Sequence, residues 1–174
     1  MRYVKILLVL ASLAAIYFVG NRFITKSHSP SSTAHHEKNG LEVTVEYCRP
    51  YKKNREIFGG LVPYGKVWRT GANEATIIKF TKDVKIADKL LKAGTYSLWT
   101  IPNDKNWTII INQEVGQWGT EYDKSRDVLE VSAPATTLKV PLEMLIIDFN
   151  DHLVGFEMLI KWDNTVVKVP MNNV

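Results

Sequence analysis

Arg69, Asn73 and Glu74 surround Gly71, with Trp68 adjoining them and Tyr64 just upstream. A guanidinium fork recognises a carboxylate or phosphate through two parallel hydrogen bonds. An amide and a carboxylate hold sugar hydroxyls, and Trp or Tyr offers a flat apolar platform. Polar groups converging beside aromatics fit a small-molecule site. The same residues also permit a purely internal role. Arg69 could pair with Glu74 and cap backbone carbonyls, satisfying an irregular loop whose polar groups must go somewhere. Upstream, Arg49, Lys52, Lys53 and Arg55 form a local basic cluster, which would meet an anionic ligand, lipid headgroups or solvent. Trp118 belongs to a second irregular stretch, Asn112 to Asp127. The candidate ligand-binding residues are thus Arg69, Asn73, Glu74, Trp68, Arg49, Tyr64 and Trp118.

Other chemistry is sparse. The single cysteine, Cys48, excludes an intramolecular disulfide and reads as an inert small residue on or near a strand face. His35-His36-Glu37 has no ligand spacing to His28 or His152, so no metal site is expected. No cofactor motif and no Ser-His-Asp signature is present. Asp123 with Asp127, or Glu74 with Asp148, would support glycosidase chemistry only if the fold set them about 5–9 Å apart.

These residues need a scaffold. The run from Tyr47 to Thr76 carries Gly59, Gly60, Pro63, Gly65 and Gly71, so its backbone must turn repeatedly. It also carries Phe58, Leu61, Val62, Tyr64, Val67 and Trp68, which a free excursion would not. A long ordered loop packing its own side chains is expected. From Leu41 onward the hydrophobic period is two. Strands are expected over Leu41–Cys48, Ala75–Lys82, Val84–Ile86, Thr95–Ile101, Trp107–Asn112, Asp127–Ala133, Thr137–Phe149, Val154–Trp162 and Thr165–Val169. Pro141 marks an edge or bulge. Eight or nine strands with turn signals between them predict an all-β antiparallel sandwich over residues 41–174. Loops cluster at the ends of sandwiches, so the 47–76 and 112–127 stretches could share a rim.

Ile6 to Val19 is apolar apart from Ser12 and Tyr17, and basic residues flank it. Residues 1–25 therefore read as an N-terminal transmembrane helix or uncleaved signal anchor, and 26–40 as a flexible tether. Of 22 basic residues, four lie in the first 26, leaving 18 against 18 acids. The body is formally neutral, which argues against nucleic-acid binding.

At Tyr47-Cys-Arg-Pro, Phe58-Gly-Gly-Leu-Val-Pro-Tyr-Gly-Lys-Val-Trp-Arg-Thr-Gly-Ala-Asn-Glu-Ala-Thr, Ala93-Gly-Thr-Tyr-Ser-Leu and Trp118-Gly, the chain resembles domain-of-unknown-function family 2911. That family occurs mostly in exported proteins of the Bacteroidetes type. The resemblance covers roughly Leu41 to Val169 and implies a compartment and a fold, not a mechanism. The family pattern usually has Ser where Cys48 stands, which speaks against a required thiol nucleophile.

The expected protein is an envelope domain, inner-membrane anchored and facing the periplasm or cell exterior. It would bind a small polar, anionic or carbohydrate ligand at a loop rim. The alternatives are a structural or partner-binding β module, showing an exposed apolar patch or bare sheet edge, and a carboxylate-based hydrolase.

Overall fold

Alternating apolar residues in Leu41–Cys48 place Leu41, Val43, Val45 and Tyr47 on one face, all buried. That strand belongs to a nine-stranded antiparallel sheet in a computed structural model, which describes residues 2–174 and, of residues 2–24, only part of the side chains. The strands are β1 (Ser31–Lys38), β2 (Leu41–Cys48), β3 (Thr76–Phe80), β4 (Val84–Ile86), β5 (Lys89–Leu91), β6 (Gly94–Ile101), β7 (Asn106–Asn112), β8 (Asp127–Asp151) and β9 (Phe156–Asn173). Their order across the sheet is β1-β2-β3-β6-β7-β8-β9-β4-β5.

β8 makes this sheet sandwich-like. Its first part pairs with β7, from Asp127 to Pro134, and the rest pairs with β9, from Ala135 to Asp151. The layers share one core, in which Val45, Ile78, Ile109 and Val131 meet Val84, Met158, Ile160 and Val169. Register shifts in the β8–β9 ladder fall between Thr137 and Leu142, the interval that holds the proline expected to disrupt pairing, and between Leu142 and Ile146. The two strands expected around Ala133–Thr137 are therefore one. Likewise the turn expected at Asp163-Asn164 is a residue of β9 with φ of 52° at Asp163, and the strand continues through it.

The tether expectation fails over most of its length. Ser31–Lys38 pairs with β2 along its whole extent. Asn39 and Gly40 make the connecting two-residue turn with φ of 52° and 74°, the left-handed pair that a tight hairpin demands and Asn-Gly supplies. Ala34 is buried, and His36 stacks on Phe149 at 5.2 Å and leans on Phe156 at 4.6 Å. An imidazole ring thus takes an apolar position and hides the strand's period.

Helix α1 runs from Arg2 to Ser27. Among the described residues no helix is long and apolar enough to cross a membrane, so the fold does not itself display the expected transmembrane helix. Ser12, Tyr17 and Lys26 are polar positions within it.

Candidate functional site

The long loop is ordered because it is stitched to the sheet. Trp68 N–H donates to the Thr100 carbonyl at 2.7 Å, and Thr100 N–H returns the bond at 2.9 Å. Trp68 lies in the core rather than on a rim, 8% exposed, stacked on Trp162 at 6.0 Å and edge-on to Phe58 and Trp107. Its indole N–H caps the Gly71 carbonyl at 3.0 Å. Thr70 follows with φ of 52° although its Cβ is branched, a rare conformation. Its hydroxyl bonds Thr100 Oγ1 at 3.1 Å, and its carbonyl accepts from Thr76 Oγ1 at 3.0 Å. A buried polar network thus overrides a local backbone cost.

This anchoring turns Arg69 and Asn73 toward the second irregular stretch. Gly119 N–H donates to the Asn73 carbonyl at 3.0 Å, Ala75 N–H to the Gln117 carbonyl at 3.2 Å, and Glu74 bridges to Trp118. The two loops do share an edge. Asn112 organises the partner loop by donating to Asp127 Oδ1 and the Asp123 carbonyl, each at 2.8 Å.

The expected Arg69–Glu74 pair is not made. Glu74 Oε1 lies 3.0 Å from Lys26 Nζ, and Glu74 Oε2 lies 3.9 Å from Cys48 Sγ. Arg69 has no ion pair among the described residues. Its Nε is buried without a hydrogen-bond partner, and burial pulls its pKa below the usual guanidinium range. The group nevertheless stays charged, because free arginine titrates so high. A partly desolvated cation with no counter-charge is costly.

Arg69 and Trp68 open onto a cavity of about 400 Å³ that also touches His28, Tyr51, Lys53, Arg55 and Trp162. Among the described residues, three formal cations face it and no carboxylate does. Glu74 instead faces a neighbouring cavity of about 340 Å³ with Lys26, Tyr47 and Cys48. Asn73, buried with φ of 63°, is placed between the two groups. Tyr64 is elsewhere, 45% exposed, and Arg49 is committed to the scaffold through Nε to the Leu145 carbonyl at 2.9 Å. The structure therefore joins Trp68 and Arg69 with Lys53 and with Arg55, whose guanidinium also donates to the Lys52 and Tyr51 carbonyls, and separates them from Tyr64 and Arg49. Tyr51 and His28 were not singled out by sequence, since neither carries a motif.

The acids proposed for hydrolysis have other duties. Asp127 accepts from Tyr122 Oη at 2.6 Å, Asp123 caps the 3-10 turn Lys124–Arg126, and Asp148 pairs with Lys161. Cys48 is buried beside Glu74 and Asn73. Burial first, and then Glu74, push its thiol up against opposing pulls from Asn73 and Lys26. A neutral thiol is a poor nucleophile. We expect Cys48 to react with a thiol reagent only slowly in the native protein at mildly alkaline pH, and fully on denaturation. The linkage follows in sign: the raised thiol contributes stability at neutral pH that is lost as pH rises through its folded value. Fast native labelling would contradict the buried, protonated assignment.

The fold and this loop edge define an all-β domain with clefts where two ordered loops meet the start of β1. The chain belongs to the family described as protein of unknown function (DUF2911), whose model matches residues 29–171. No curated protein and no solved structure matches the chain.

Proposed function

We propose that the domain binds a small anionic ligand in the cavity lined by Arg69, Lys53, Arg55, Tyr51 and Trp68. The observation that carries this reading is the buried, unpartnered Nε of Arg69 in a cleft without a carboxylate. An incoming carboxylate or phosphate would supply a counter-charge to the guanidinium and offset its desolvation. Tyr51 and the indoles add an apolar wall for the rest of the molecule. The cationic lining favours an anion over a neutral sugar here.

Thermal-shift and calorimetric titration of the full chain with inorganic phosphate and citrate, against neutral glycerol, tests it. Binding to the native state must raise Tm. Arg69→Gln should leave the fold intact and weaken anion binding roughly ten- to a hundred-fold, the worth of about 1.5–3 kcal/mol for a hydrogen bond to a charged group. Equal binding by Arg69→Gln, or no response to any anion, would remove the reading.

We further propose that α1 holds this domain at a membrane, in the envelope. The support is the Ile6–Val19 run between basic flanks and its inclusion in a continuous 26-residue helix. Resistance of the full chain to alkaline extraction from membranes checks it, and recovery in the soluble fraction would refute it. The partner-binding reading has in its favour the exposed Leu153 and Val154 at the β8–β9 hairpin tip and the edge strands β1 and β5.

A further inference from the structure

A third cavity, of about 150 Å³, lies where the long loop, the β6–β7 turn and the β8–β9 crossing meet. Gly65 N–H donates to the Pro102 carbonyl at 2.9 Å, tying Tyr64's loop to the turn. Ala135 N–H donates to the Lys105 carbonyl at 2.8 Å, tying β8 to the same turn. Across the cavity Thr137 pairs in register with Thr165, just before the β8–β9 ladder slips. The opening is therefore built from fixed backbone, held from three sides.

Its chemistry is the reverse of the Arg69 cleft. Asn103, Asp104, Thr136, Thr137, Asn164 and Thr165 line it, and among the described residues no cation does. Asp104 is exposed and makes no ion pair among the described residues. Trp107, 1% exposed, forms part of the wall, and its indole N–H has no hydrogen-bond partner. A buried donor left unpaired is expensive, and the ring that carries it lines this opening. The half-exposed Tyr64 ring stands on the same wall.

We propose that this cavity is a separate binding site for one ring of a neutral carbohydrate. Hydroxyl groups both donate and accept, which suits a wall of amides, hydroxyls and one carboxylate. A carboxylate without a counter-ion accepts from two adjacent hydroxyls and would repel an anion. The Tyr64 ring gives the apolar face of a sugar a flat neighbour. The volume holds about five waters at roughly 30 Å³ each, which is room for a single ring and not for a chain. The site shares no charged residue with the Arg69 cleft, so each can fail without the other.

The test is a titration of the ¹⁵N-labelled full chain with methyl β-D-glucopyranoside, methyl N-acetyl-β-D-glucosaminide and myo-inositol, following the five indole N–H signals. The Trp107 signal is assigned by Trp107→Phe. The Trp107 signal should move saturably with at least one probe, and Asp104→Ala should weaken that response at least tenfold. Arg69→Gln should leave it unchanged. A Trp107 signal insensitive to every probe at tens of millimolar would mean that solvent alone fills the cavity, and the proposal would fall. An unaltered response in Asp104→Ala, or its loss in Arg69→Gln, would overturn it equally. Should Trp107→Phe not fold, Tyr64→Ala and Asp104→Ala, both at exposed positions, decide the matter by loss of the saturable shift.

Discussion

Trp68→Ala is expected to destabilise the protein by about 3–5 kcal/mol, the usual cost of emptying a large aromatic site in a core. Trp68 holds together two things at once. Its ring joins Phe58, Trp107 and Trp162, with centroids about 6 Å away, and its indole satisfies the Gly71 carbonyl. Truncation leaves a void between the two layers and an uncapped carbonyl at the bend that turns Arg69. For a chain of this length each kcal/mol corresponds to roughly 2–4 °C in Tm, so a fall of about 6–20 °C should appear in calorimetry. Tyr64→Ala, on the same loop but half in solvent, should change stability by about 0.5 kcal/mol or less. Equal effects of the two substitutions would mean that the loop does not pack as described.

Gly119→Ala carries the next largest effect, because this glycine is where the two loops touch. An added Cβ would lie 1.8 Å from Arg69 Cδ, 2.8 Å from its Nε and 2.6 Å from the Asn73 carbonyl oxygen. The arginine stem can swing away; the Asn73 carbonyl cannot, since it accepts the Gly119 N–H itself. Overpacking of this kind costs about 1–3 kcal/mol, here with displacement of the guanidinium from its cleft. Anion binding should fall together with stability. In the Arg69→Ala background Gly119→Ala should cost less than in the wild type, since one of the two clashes is gone, and the shortfall measures the coupling. Strict additivity, read from chemical denaturation of the four proteins, would show that Arg69 does not lie over Gly119.

Much of the body could be read from residue order because a strand's period is local. Leu41–Tyr47 alternates inward and outward, broken only where Cys48 is buried as well, and the observed strand has the expected bounds, Leu41–Cys48. The Phe58–Trp68 run points to an ordered loop through its apolar content, and Val62 and Trp68 are buried while Leu61, Tyr64 and Val67 stay exposed. β1 was missed for a reason equally local. Ser31–Lys38 has only Ala34 and a histidine to turn inward, so no apolar period exists to find. The Asn39-Gly40 dipeptide was the available signal, and it specifies a hairpin whatever precedes it.

What residue order determined about this protein is the set of local preferences: an antiparallel all-β body, a loop too apolar to be free, and an arginine, an amide and an acid clustered within that loop. Which of them face one another was decided only by the fold. Arg69 and Glu74 are near neighbours in the chain, yet the bend at Thr70 and Asn73 sends them into different clefts. Glu74 finds its partner in Lys26, far back along the chain, and Arg69 is left beside Lys53 and Arg55 with no acid. Ion pairing depends on distance through space, and a left-handed residue reverses the backbone's direction over a step too short for periodicity to register.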